Sequence, residues 1–104
     1  MLEQEDGHER FAPVFEWDPE KDALNRFKHA VSFAEAQRAF ADPRRVVQAD
    51  EAHSAAEIRF YCYGNVDGEV LTVRYTMRGE KVRIIGAGFW RRGRRIYEEK
   101  NPVY

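Results

Sequence analysis

The sequence holds a single cysteine, Cys62, so no internal disulfide can form, and the lone thiol fits a reducing cytoplasm. Its three histidines, His8, His29 and His53, lie far apart with no ligand spacing between them. This argues against a metal site, and no cofactor is expected. No apolar run approaches the roughly 20 residues of a membrane span. The first residues are acidic and polar, unlike a secretory signal. Gly86-Ala87-Gly88 follows a predicted strand and precedes a predicted helix, but it lacks both the dinucleotide fingerprint and the P-loop lysine. A serine triad has no support, because Ser32 is accounted for as a helix cap and Ser54 lies in a loop.

What the 104 residues do contain is 43% hydrophobic and 34% charged, the balance of one soluble globular domain with room for its own core. The net charge of -1 conceals an asymmetry. Glu3, Glu5, Asp6 and Glu9 against Arg10 make the first ten residues acidic. Arg78, Lys81, Arg83, Arg91, Arg92, Arg94 and Arg95 against Glu80 make residues 78–95 basic. A basic surface facing a polyanion or an acidic partner is one reading; an ordinary solvated face is the other.

Residues 1–12 show no apolar period and are expected to be a flexible extension. Residues 13–100 form the domain and 101–104 a tail. Val14 to Trp17 is a short strand candidate. Asp18-Pro19 then starts a helix, since Asp accepts from first-turn amides and Pro needs no acceptor there; Glu20 and Asp22 suit the positive helix end. Ala23, Leu24, Phe27 and Val31 recur at helical spacing and predict the buried stripe, with Lys21, Asn25 and Lys28 to its side. Ser32-Phe33-Ala34-Glu35 is a capping box opening a second helix that runs to Phe40 and stops at Asp42-Pro43. Lys28-His29-Ala30 forms the joint between the two.

Residues 44–49 read as a strand. Glu57 to Gly64, Glu69 to Met77 and Lys81 to Ala87 read as a meander joined by glycine-bearing hairpins. Phe89 to Glu99 reads as a helix interrupted by Gly93. The fold class is therefore α+β. Alternation places Ile58, Phe60 and Cys62, and Leu71, Val73, Tyr75 and Met77, on a core face, which makes Cys62 a packed thiol. Arg59, Tyr61 and Tyr63, with Val70, Thr72, Arg74 and Thr76, fall opposite. Arginine beside tyrosine can pair with phosphates and stack on bases, although any half-exposed sheet alternates in this way.

Acid-base cleavage of RNA by its own 2'-hydroxyl needs a base, an acid and cations on the phosphate, all available from His, Lys, Tyr and Arg. His29 with Lys28, and Arg59 with Arg83, form a candidate set. Equally, Lys28 and His29 complement a helix end.

Taken in order, Phe15-Glu16-Trp17-Asp18-Pro19, Lys28-His29-Ala30-Val31-Ser32-Phe33, Asp42-Pro43, His53-Ser54, Glu57-Ile58-Arg59-Phe60 and Arg83-Ile84-Ile85-Gly86-Ala87 resemble the BrnT toxin family of bacterial toxin–antitoxin systems. The resemblance implies a small domain similar to the RelE-type ribonuclease toxins, one that cleaves RNA and inhibits translation. It further implies a BrnA-like ribbon-helix-helix antitoxin and a heterotetramer of two toxins with two antitoxins. Lys28, His29, Arg59, Arg83 and His53 match the family's motif positions and become the expected catalytic set. Tyr61, Arg74, Trp90, Arg91, Arg92 and Tyr97 are the expected RNA-binding residues. The chain departs from the family at two points. Ala30 stands where glycine is common, and a left-handed cap would strain alanine, which predicts a differently turned corner. Gly88 stands where many members carry arginine, and Arg91 or Arg92 is a candidate substitute. The rival reading is a non-catalytic module that binds nucleic acid or an acidic protein through the basic C-terminal helix.

Overall fold

The computed structural model describes residues 13–53 and 56–103. The expected extension at 1–12, Ser54 and Tyr104 lie outside the described residues. The elements are β1 (Val14–Glu16), α1 (Pro19–His29), α2 (Phe33–Ala36) continuing as a 3-10 turn (Gln37–Ala41), β2 (Val46–Ala49), a second 3-10 turn (Glu51–His53), β3 (Arg59–Val66), β4 (Glu69–Arg78), β5 (Lys81–Gly88) and α3 (Arg91–Lys100). Five strands form one sheet in the order β1-β5-β4-β3-β2. The meander β3-β4-β5 is antiparallel as expected, and β2 joins it antiparallel. β1 adds a parallel edge beside the start of β5, so the sheet is mixed.

Both helix starts follow their caps. Asp18 Oδ1 accepts the Glu20 amide at 2.8 Å, and Ser32 Oγ accepts the Glu35 amide at 2.9 Å. Asp22 has a role beyond the helix dipole: its Oδ1 accepts the Phe33 amide at 2.8 Å, which ties α1 to the start of α2. The corner between them keeps the left-handed residue that alanine was expected to avoid, with Ala30 at φ 59° and ψ 30° and its amide donating to Arg26 O at 3.0 Å. A left-handed alanine costs about 1 to 2 kcal/mol, part of which glycine would forfeit as chain entropy. Ala30→Gly is therefore expected to stabilise the fold by about 0.5 to 1 kcal/mol, which thermal unfolding would register as a rise of about 3 to 6 °C.

The hairpin from β3 to β4 turns on Asp67 and Gly68, both at positive φ (54° and 93°), as a two-residue turn matched to strand twist requires. One face of the sheet buries Phe33, Ala36 and Ala39 against Cys62, Leu71, Val73, Tyr75, Val82 and Ile84, with Phe15, Trp17, Phe40 and Phe60 at its border. Burial raises the Cys62 thiol to about 12, so it is an inert packed group. Met77 and Ile58 depart from the expected core face: they are 43% and 62% exposed, at the end of β4 and just before β3, where the ladder finishes.

The opposite face is covered at one end only. There Tyr63, Val70 and Tyr97 form a second cluster with Val46, Tyr61 and Ile96. Gly93 does not interrupt α3. It is the contact point of that helix with the sheet, since a Cβ there would lie 2.0 Å from Thr72 Oγ1 and 2.9 Å from the Tyr63 ring. Tyr97 Oη donates to Asp42 Oδ2 at 2.6 Å, fixing α3 to the loop after α2. Burial opposes ionisation of Asp42, but the Tyr97 hydroxyl and the Asn65 and Arg44 amides outweigh it and hold the carboxyl below its usual range.

Of the expected stripe, Val31 is buried as predicted, but the part within α1 is inverted. Leu24 is 51% and Phe27 88% exposed, while Asn25, read as lateral, is 7% exposed. The cause lies in the sheet. β1 pairs only with Lys81–Arg83, so among the described residues the second half of β5 has no strand on the side away from β4. Ala87 sits opposite Val73 and turns its backbone groups away from β4. Asn25 fills the vacancy: Oδ1 accepts the Ala87 amide at 3.2 Å, and Nδ2 donates to Ala87 O and Val31 O, each at 2.9 Å. A buried amide with these partners fixes α1 against β5, and the helix's last turn goes with it.

Candidate functional site

The open sheet face displays side chains in rows across the strands. One row runs Glu16, Arg83, Thr76, Arg59 over β1, β5, β4 and β3. The next runs Gly86, Arg74, Tyr61, Gln48 over β5, β4, β3 and β2, and a third runs Gly88, Thr72, Tyr63, Val46 beneath α3. Rows on one face are two residues apart, or about 7 Å. Arg59, Arg83, Arg74 and Tyr61 are therefore assembled in two adjacent rows; alternation predicted the shared face for Arg59, Tyr61 and Arg74, and strand pairing adds Arg83.

Two arginines of this face are held by carboxylates that the sequence reading did not include. Arg83 Nη1 donates to Glu16 Oε2 at 3.2 Å across the parallel β1–β5 pair. Arg74 Nε lies 3.6 Å from Oδ2 of the buried Asp50. Both side chains stay partly exposed, so each arginine is tethered at one nitrogen and still reaches solvent. Tyr61 stacks on Tyr63 at 5.8 Å and is half-buried.

His29 lies at the β5 margin of this face, in the last turn of α1. Its ring meets the edge of Trp90 at 5.1 Å and 83°. The indole in turn occupies the space beside Gly88, where a Cβ would fall 2.4 Å from the Trp90 ring. The space that a side chain at position 88 would enter is thus filled by tryptophan. Lys28 is exposed beside His29 in the same turn, and Arg91 and Arg92 are exposed in the first turn of α3, directly after Trp90.

Two residues of the expected set stand apart. His53 ends the 3-10 turn after β2, at the opposite margin of the sheet from His29. β5 and β2 are three strands apart, about 14 Å. Tyr97 is buried, with its hydroxyl given to Asp42; the phenol is raised to about 12, first by burial and then by that carboxylate. Its ring belongs to the fold and has no face to offer a base. The residues missed were Glu16, Asp50 and Asn25. Only Asn25 left a local signal, as the polar break inside an apolar helical period.

Together the face offers fixed cations, two accessible aromatic surfaces in Tyr61 and Trp90, and one imidazole able to move a proton. Among the described residues no three His, Cys, Asp or Glu side chains converge as metal ligands would. No helix among them is long and apolar enough to cross a membrane. A comparison with individually characterised proteins finds no match. The sequence profile of the ribonuclease toxins named BrnT, of type II toxin–antitoxin systems, matches residues 17–93, from just after β1 into α3, and so covers four of the five strands and both helices of the corner. The chain belongs to the BrnT family of ribonuclease toxins.

Proposed function

We propose that the chain is an endoribonuclease that needs no metal ion and arrests translation by cutting RNA in the cytoplasm, through the domain formed by residues 13–100. The observation that carries this reading is the position of His29, ring against Trp90, at the margin of a face on which Arg59, Arg74 and Arg83 are already aligned. Attack by the 2'-hydroxyl requires removal of its proton, neutralisation of the five-coordinate phosphate and protonation of the departing 5'-oxygen. His29 serves as general base or acid. Lys28, Arg59 and Arg83 neutralise the phosphate, and Arg74, Arg91 and Arg92 hold its neighbours along the strand. Tyr61 and Trp90 supply stacking surfaces. His53 is the second acid-base group, on an RNA that crosses the sheet from one margin to the other.

A toxin of this type is held by an antitoxin. We assign that role to a BrnA-like ribbon-helix-helix protein in a complex of two toxins and two antitoxins. The second reading is a binding module that works without catalysis through α3, favoured by the absence of an arginine at Gly88. Inducible expression in a bacterial host, with growth and total RNA followed in parallel, separates the two. Growth arrest with fragmented RNA, and cleavage by the purified chain in the presence of EDTA, is the expected result. Normal growth with intact RNA would leave the binding module as the function.

A further inference from the structure

Glu16 is fixed from both sides. Its sequence neighbours turn to the core, where Phe15 meets the edge of Phe40 at 5.1 Å and Trp17 that of Phe33 at 6.3 Å. Alternation then leaves Glu16 on the open face, between two anchored aromatic residues. Parallel pairing sets it opposite Arg83, and its Oε2 accepts from Arg83 Nη1 at 3.2 Å. The side chains of Arg83 and Glu16 are 28% and 30% exposed, so this pair is more shielded from water than Arg78–Glu57 on the same face. Arg59 belongs to the same row, two strands from Arg83, or about 10 Å. Thr76, between them, is buried, and its hydroxyl donates to Ile58 O at 2.7 Å. The row therefore reads carboxylate, arginine, short neutral residue, arginine.

We propose that Glu16 is a positioning residue for RNA cleavage: it holds Arg83 at the β1 side of the row, so that a phosphate is received between Arg83 and Arg59 over Thr76. The inference rests on the ribonuclease reading and gives a role to a carboxylate that reading does not use. On a surface that only gathers a polyanion, each carboxylate weakens binding. A carboxylate beside a phosphate-binding arginine has a use where geometry outweighs charge. Tied at one nitrogen, Arg83 keeps further donors for the phosphate and enters the complex with part of its rotamer freedom already lost. Glu16 thus works against affinity and in favour of rate. One substitution should move the two in opposite directions.

Glu16→Gln removes the charge at nearly constant shape. Glu57→Gln removes the same charge from the same face, at an arginine outside the proposed chemistry. Both are expected to fold, which circular dichroism and thermal unfolding check; Glu16→Asp, which keeps the charge one carbon short of Arg83, is the second variant and should fall between glutamine and wild type. The probe is a short RNA in single-turnover cleavage. At saturating RNA, Glu16→Gln is expected to slow cleavage about 10- to 100-fold, the cost of a misplaced group, while the half-saturating concentration stays level or falls by up to about threefold. Glu57→Gln should tighten binding by a similar factor and keep the rate within about twofold. In an Arg83→Ala background Glu16→Gln should change the rate by less than about twofold, because nothing is left to position. A Glu16→Gln rate within about threefold of wild type would overturn the proposal, as would a loss confined to affinity. A full further loss in the Arg83→Ala background would overturn it too, since Glu16 would then act on the RNA itself. A wild-type chain that cuts no RNA would instead refute the ribonuclease reading and this inference with it, whereas an active chain indifferent to Glu16→Gln refutes the inference alone.

Discussion

Replacement of His29 by alanine is expected to lower RNA cleavage by about 100- to 10,000-fold, the range for loss of one positioned acid-base group. The fold should survive it. His29 is exposed at the end of α1, and its ring contact is with Trp90, a pair worth about 0.5 to 1.5 kcal/mol. Single-turnover cleavage of a short RNA, measured beside circular dichroism of the same preparation, separates a lost proton transfer from a lost structure. His29→Gln keeps a polar group of similar reach but no titrating nitrogen, so it should be as inactive as alanine. Lys28→Ala removes a phosphate cation, leaves the proton transfer in place, and should cost less. Cleavage within about threefold of wild type in both His29 variants would exclude His29 from the chemistry and return attention to the sheet arginines with His53.

A comparable loss, from a different cause, is expected at Asn25. Asn25→Ala would leave the Ala87 amide, the Ala87 carbonyl and the Val31 carbonyl without their partners. Each buried group left unsatisfied costs about 1 to 3 kcal/mol, so the expected total is about 3 to 5 kcal/mol, against about 5 to 15 for a whole domain. Thermal unfolding should move down by about 15 to 25 °C. Asn25→Asp is the sharper test. It has nearly the same shape and still accepts from the Ala87 amide, but it turns a carboxylate toward two carbonyls that need donors. It should be at least as damaging as alanine, and a near-neutral Asn25→Asp would show that shape alone holds the helix. Because α1 carries Lys28 and His29, either variant should also cleave RNA poorly even where it remains folded. Loss of activity in cold, folded Asn25→Ala protein would identify Asn25 as a positioning residue for the site.

The caps and the glycine-bearing hairpins of the meander were legible because each is a local transaction between neighbours in sequence: Asp18 with Glu20, Ser32 with Glu35, Gly68 with the strands it joins; the two-residue form of the turns came from the structure. Strand alternation also carried the arginine face, since its side was decided by Cys62, Leu71 and Val73 on the other. The orientation of α1 was not legible. Periodicity counts apolar residues and takes the stripe as the buried side, but here an open strand edge demanded hydrogen bonds, and an asparagine met the demand better than leucine or phenylalanine could. Gly93 was read as a helix breaker for a similar reason: a close approach of helix to sheet is invisible until Thr72 and Tyr63 are known to lie beneath it. The tethers Glu16–Arg83 and Asp50–Arg74 and the His29–Trp90 contact join distant parts of the chain, and no spacing rule reaches them.

The parallel pairing of β1 with β5 sets the order in which the protein can be built. Val14 meets Lys81 and Glu16 meets Arg83, so the N-terminal strand has no sheet to join until nearly the whole chain has been synthesised. At about 5 to 20 residues per second, several seconds separate the emergence of α1 from that of its docking edge. During that interval His29 already exists, but Asn25 has no Ala87 to bind and Arg83 has not been made. Under the proposed mechanism, activity is expected only when the last strand closes against the first. A truncated or stalled product ending before β5 would carry the imidazole without Arg83 or the edge that Asn25 binds, and is expected to be inactive.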